Sequence, residues 1–272
     1  MVRRHRYTAH WKLLCWAASV LSCSALVSWA LVAIPALAVI GWRRIFHRVA
    51  SIVGVLGVYL MRRYVDRRSF ASLGLEPRGR AISDGWLGVR LAALTFLGLL
   101  AVLWWCGVWT LSLNPDHEKF WWSVMSFLPA ALLVGCLEEV VFRGYILQTF
   151  LQDYGKATAS VVTSLIYALA HLAKPLHLWP TMWADLIGLL LFGLVLAYAA
   201  LQTRLLYLPI GVHASLVYLS KVQKHLIVFE GGSPHWLFGN ERLVTGVMGW
   251  AAIGCLGWWI HRRTQGSVRD GR

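Results

Sequence analysis

The chain has 272 residues, 58% of them hydrophobic and only 14% charged, with a mean hydropathy of +0.59. Water-soluble domains carry about 25% charged residues, so this composition excludes one and indicates an integral membrane protein. The formal charge is +14, but Arg and Lys stand in short runs between apolar segments, which argues against a nucleic-acid partner and for topology signals and contacts with anionic lipid.

Apolar stretches run over 13–41, 49–61, 87–113, 121–151, 157–173, 182–201, 205–222 and 243–260. A lipid core offers unpaired backbone no partner, so each should be a helix. The first run is longer than the apolar core of a secretory signal and lacks a small-residue cleavage site, so it is expected to be a membrane helix. Continuously apolar segments such as LIGLLLFGLVLAYAALQ lack the alternation of a β-barrel. The fold class expected is therefore all-α, a polytopic helical bundle of about eight transmembrane helices. Two parts are expected: residues 1–80, comprising N-terminal membrane helices and a basic linker that ends in SFASLGLEPRGR, and residues 81–272, the main bundle. No internal repeat suggests a transporter built from inverted halves.

Loop charge orients the bundle. Arg3, Arg4, Arg6 and Lys12, then Arg62, Arg63, Arg67, Arg68, Arg78 and Arg80, then Arg262, Arg263, Arg269 and Arg272 mark cytoplasmic segments, including both termini. The near-neutral loops 114–120, 174–181 and 223–242 face outside if six crossings follow residue 80. Arg43, Arg44, His47 and Arg48 interrupt the first two runs and fall outside under this scheme. Trp42, Trp121, Trp122, Trp179 and Trp183 stand at segment ends, as interfacial anchors do. Arg far outnumbers Lys, a usage that fits a GC-rich bacterial genome and hence a bacterial inner membrane. The cysteines Cys15, Cys23, Cys106, Cys136 and Cys255 form no CxxC pair and are expected to be small buried hydrophobes.

Ionisable groups inside membrane helices are costly, so each that persists is a candidate functional residue. They are Glu138, Glu139 and Arg143 in LVGCLEEVVFRGYIL, His171 in SVVTSLIYALAHL, and His213 in LPIGVHASLVYL. Glu139 and Arg143 are i, i+4 and share a helix face, so Arg143 can neutralise Glu139, whereas Glu138 is turned about 100° away and must find a partner elsewhere. Glu138 precedes Asp153 by 15 residues and His171 follows Lys156 by 15, about 22 Å into each helix, so the two should meet at similar depth. His213 lies about 14 Å past Arg204 and would need tilt or a bend near Pro209 to join them.

One glutamate with two histidines suits two hydrolytic chemistries. In one, a general base activates water beside an oxyanion stabiliser; in the other, a His2Glu site holds a divalent metal such as zinc, with Glu138, His171 and His213 as ligands. Two further roles compete, hydrogen bonds that merely tie helices together and a proton relay in a transporter. Asp185 is expected to cap a helix or face water, and His177, His225 and His235 fall in loops. HExxH and GxSxG are absent, which removes support for zincins and serine hydrolases.

With these residues in view, EEVVFR (138–143), YALAH (167–171) and the His213 helix resemble the EExxxR, FxxxH and HxxxN motifs of the CAAX prenyl protease and bacteriocin-processing family, known as CPBP or Abi. The resemblance covers roughly residues 120–222. It implies an intramembrane endopeptidase in which Glu138, His171 and His213 are catalytic and activate a water for peptide-bond hydrolysis, while Glu139 and Arg143 are structural. Its partners would be a membrane-associated peptide or protein substrate and the lipid bilayer. Two departures stand out: Tyr167 replaces Phe, and Val217 occupies the place of the Asn that would donate to an oxyanion. Ser215 or Ser164 could substitute. If neither does, a non-catalytic membrane protein of the same fold, such as an immunity factor or substrate-binding chaperone, becomes the alternative.

Overall fold

The computed structural model describes residues 8–77, 79–112, 117–171, 182–230, 234–239 and 244–269. The expected outer loop 174–181, with His177 and Trp179, lies outside them, as do Arg3, Arg4, Arg6, Arg78 and Arg272. Helix α1 (Thr8–Val32) stops short of residue 41 because Pro35 forces Ile34 into extended backbone at φ −82° and ψ 117°. A single turn, α2 (Pro35–Ala38), and Gly41 at φ +81° then lead into α3 (Trp42–Leu60). That helix takes Arg43, Arg44, His47 and Arg48 into its own first turns and continues through a π-helical turn, Met61–Val65.

Helix α4 (Ala81–Trp105) ends at a turn with Gly107 at φ +69°. Next comes α5 (His117–Glu139), which runs through a π-helical segment (Val140–Ile146) into α6 (Leu147–Phe150). Helices α7 (Lys156–His171), α8 (Trp183–Thr203), α9 (Tyr207–Val222), α10 (His235–Phe238) and α11 (Gly246–Arg269) complete the bundle. Strands β1 (Trp109–Leu111) and β2 (Ile227–Phe229) pair antiparallel, with Thr110 opposite Val228. This small sheet was not expected, because three residues per strand are too few for alternation to show.

Five helices are long and apolar enough to cross a membrane: Ala9–Val32, Trp42–Val65, Ala81–Trp105, Phe120–Phe150 and Trp183–Thr203. The all-α membrane bundle stands, but only five of about eight expected crossings meet that requirement among the described residues. Helix α9 has 16 residues, short of the ~20 a bilayer core needs, and the described part of α7 ends at His171. The apolar part of α11 gives way to His261, Arg262 and Arg263.

Helix α4 packs on α9, α9 on α5, α7 on α8, and α11 on both α8 and α4. Since lipid is as apolar as leucine, such contacts rest on close fit rather than on expulsion of water, and small residues permit it. A Cβ on Gly88 of α4 would collide with the Leu208 carbonyl and Val212 amide of α9. On α5, a Cβ at Gly135 would lie 3.0 Å from the Ala214 Cβ of α9, so the backbone of α9 is close beside α5 at the residue next to His213. Helix α1 packs on α3 and is anchored at its start by Lys12 on Asp66 at 2.9 Å and by the Ala9 amide donating to Asp153 Oδ2 at 3.2 Å.

The cysteines correct an expectation. All five are free, four are exposed and Cys136 is half-buried. Hydropathy places a residue within an apolar segment, but a helix face bordered by lipid is as apolar as one inside the bundle.

Candidate active site

The helix that carries the first motif changes winding at the motif itself. Glu138 and Glu139 close α5, and Arg143 lies in the π-helical segment that follows; such local expansions of a helix recur at functional sites. Glu139 and Arg143 have no exposed side-chain surface and pair at 2.8 Å, Arg143 Nη1 to Glu139 Oε1. Arg143 Nη2 also donates to the Gly193 carbonyl of α8 at 3.1 Å, and the guanidinium carbon lies 4.6 Å from the centre of the Tyr167 ring. A buried charge needs compensation, and Arg143 is met by an anion, a carbonyl and a π face, with only its Nε left without a hydrogen-bond partner.

Each histidine has one nitrogen bound to an acceptor. His171 Nδ1 lies 2.9 Å from the Tyr167 carbonyl, and His213 Nδ1 lies 2.7 Å from Glu139 Oε1. Carbonyl and carboxylate oxygens only accept, so both Nδ1 atoms carry hydrogen. Each ring therefore turns Nε2 toward Glu138, whose Oε2 is 3.3 Å from His171 Nε2 and 3.7 Å from His213 Nε2. Those Nε2 atoms accept from a water when the ring is neutral and donate when it is protonated.

The expected meeting of Glu138 with His171 is found at 3.3 Å. His213 joins without a bend at Pro209, which occupies the first turn of α9, where a missing backbone N–H leaves no helix bond broken. The bond from His213 to Glu139 was not anticipated. It depends on how α9 packs against α5, and no spacing within one segment encodes it.

Glu138, His171 and His213 line a cavity of about 390 Å³. The Glu138 and His171 side chains are 21% and 31% exposed, while that of His213 is 3% exposed, so the cavity reaches the first two directly. Val217 and Ser220, one and two turns beyond His213 on α9, also line it. Ser215 and Ser164 are not among its lining residues, and Ser164 is fully buried beside Gly193. Tyr167 keeps the ring of the phenylalanine it replaces, with its centre 4.4 Å from that of His171 and 5.1 Å, edge-on, from that of Phe142.

Asp185 is a second correction. It is 7% exposed and lines the same cavity as Glu138, so it does not face water, and it stands in the first turn of α8 behind the N-cap position, Met182. The signal in the chain was its isolation, for no other acid occurs between Asp153 and Glu230. His225 follows α9 in a short turn against Phe120 and Phe127, and His235 opens α10; neither lines the cavity.

Among the described residues, no group of three or more His, Cys, Asp and Glu side chains could hold a metal ion.

Residues 120–219 match the family model of the type II CAAX prenyl endopeptidase, Rce1-like. The matched segment contains Glu138, Glu139, Arg143, His171, His213 and Val217, in agreement with the resemblance drawn from the motifs. The Rce1-like match and the five apolar helices support an integral membrane protein and an endopeptidase of the CAAX-protease type. No curated protein and no solved structure gives a significant match.

Proposed function

We propose that the protein is an intramembrane endopeptidase that hydrolyses a peptide bond in a membrane-associated peptide or protein, with Glu138, His171 and His213 around one water. The observation that carries this reading is the convergence of two Nε2 atoms on Glu138 Oε2 at 3.3 and 3.7 Å at the wall of a cavity.

Glu138 is the general base. A water held between its carboxylate and a neutral Nε2 loses a proton to Glu138 as its oxygen attacks the scissile carbonyl, and the same proton then passes from Glu138 to the leaving amine. The developing oxyanion needs a donor aimed at it. His213 is the better placed, because the Glu139 carboxylate bonded to its Nδ1 fixes the ring with Nε2 toward the cavity, the logic by which a buried acid orients a catalytic histidine, and Nε2 donates to the oxyanion when the ring carries both protons. His171, backed by a neutral carbonyl, holds the water. Arg143 holds Glu139 in place.

Residues 81–272 form the catalytic bundle in this reading and residues 1–80 support it. Helices α7, α9 and α11 complete the set of about eight crossings, and both termini face the cytoplasm of a bacterial cell.

The test needs no knowledge of substrate. New protein N-termini are compared by mass spectrometry in membranes and medium of cells that express wild type or Glu138→Gln at matched levels. Termini produced only by the wild type are expected; cleavage by Glu138→Gln at the wild-type rate would sink the glutamate mechanism. A second reading, a non-catalytic membrane protein of the same fold acting as an immunity factor or substrate-binding chaperone, rests on Val217, which offers an oxyanion no hydrogen bond. Identical N-terminal profiles with an unchanged cellular phenotype would favour it.

A further inference from the structure

A second cavity, of about 750 Å³, opens where the Trp42–Val65 span ends, lined by Tyr59, Arg62, Arg63, Tyr64, Arg67 and Arg68 among others. Its charge is one-sided. Asp66 is the sole acid from Met61 to Leu75, and it is already engaged by Lys12 at 2.9 Å and by Arg62 at 3.6 Å. Among the described residues no carboxylate pairs with Arg63, Arg67 or Arg68.

The backbone gathers these guanidinium groups. The helix widens into the π-helical turn Met61–Val65, Arg67 takes a left-handed φ of 53°, and the Arg68 amide donates back to the Arg62 carbonyl at 2.9 Å. A left-handed conformation is unfavourable for a residue with a Cβ, and strain of this kind is concentrated at ligand clamps. Arg62 forms the floor: its side chain is 4% exposed, it donates to Ser72 Oγ, and its Nε has no hydrogen-bond partner in the protein.

Guanidinium forks match the oxygens of phosphate in charge and geometry. We propose that this cavity binds a phosphoryl oxyanion, for which the anionic headgroups of the bilayer and free phosphate are the two sources. Its position at the end of a span, with Tyr59 and Tyr64 47% and 70% exposed as interfacial tyrosines are, favours the headgroup. The site is separate from the Glu138 cavity and stands or falls independently of the protease reading.

The test uses the full-length protein in a neutral detergent and the triple variant Arg63→Gln, Arg67→Gln, Arg68→Gln. All three side chains belong to exposed residues, and Arg62 is left in place for its bond to Asp66. Phosphatidylglycerol and phosphatidylcholine are titrated and retained lipid is counted by native mass spectrometry; inorganic phosphate is titrated in parallel as a competitor. Wild type should retain phosphatidylglycerol at least tenfold more tightly than phosphatidylcholine, and the triple variant should lose that affinity by about a hundredfold, roughly fivefold per arginine. Displacement of the lipid by millimolar inorganic phosphate would keep the phosphoryl site and assign it to the free ion. Equal retention of phosphatidylglycerol by wild type and variant, or a wild type that neither distinguishes the two lipids nor binds phosphate, overturns the proposal. If the triple variant does not fold, the single changes Arg63→Gln and Arg68→Gln serve, each expected to weaken retention about fivefold.

Discussion

His213 donates its Nδ1 hydrogen to Glu139 Oε1 over 2.7 Å, and this bond determines which nitrogen the cavity sees. Glu139 has no exposed side-chain surface and does not line the cavity, yet it sets the tautomer of a residue that does. Glu139→Gln preserves the shape while exchanging the acceptor-only carboxylate on His213 Nδ1 for an amide that can also donate, so the tautomer is no longer fixed. Cleavage should fall by ~10² or more with the substrate KM little changed, as measured by initial rates on any peptide identified from the N-terminal profiles. A loss confined to KM would assign Glu139 to substrate binding instead.

Arg143→Ala leaves the Glu139 carboxylate buried without its cation. Breaking a buried pair by removing one partner costs about 3–5 kcal/mol, so the variant should melt well below wild type in the same detergent. An unchanged melting temperature contradicts the ion-pair role.

Glu138→Gln behaves differently because its side chain, 21% exposed, borders a cavity and is not locked into the core. Loss of cleavage with a melting temperature close to wild type is the expected signature. A large drop in stability would indicate that Glu138 holds helices together and does not act on water.

Val217→Asn restores a donor one turn beyond His213, on the same lining of the cavity. A single oxyanion donor contributes ~10² to 10³ in rate, so an increase of tenfold or more is expected if the side chain reaches the reacting carbonyl. Val217→Leu is the control for size. No increase with Asn would show that Ser220, His213 or a backbone group already supplies the bond.

Water activation by Glu138 alone makes cleavage indifferent to chelators. Activity lost to a chelator and recovered with zinc would replace the proposed role of Glu138 as base by that of a ligand, a difference read directly from metal content of the purified protein.

Much of the architecture is legible along the chain because lipid imposes a local rule: each long apolar run must satisfy its own backbone, and only a helix does so. The Glu139–Arg143 pair was readable for the same reason, since i, i+4 proximity belongs to the helix and needs no partner segment. The meeting of Glu138 with His171 followed from equal depth in two helices joined by a short loop. Helix ends were less legible where proline and glycine intervened, as at Pro35 and Gly41, and of the expected crossings five are long and apolar enough among the described residues.

Tertiary packing alone decided the rest. Which acid His213 bonds, that Asp185 faces the Glu138 cavity, that four of the cysteines look outward, and that Arg63, Arg67 and Arg68 surround one cavity all depend on how one helix is rotated against another. In this chain that rotation is set by close approaches such as Gly88 on Leu208 and Gly135 on Ala214, contacts between residues far apart in sequence. Hydropathy and charge pattern identify which segments enter the membrane and which residues do not belong there, because those are properties of single helices. The facing of side chains across helices is a property of their fit, and only the folded bundle contains it.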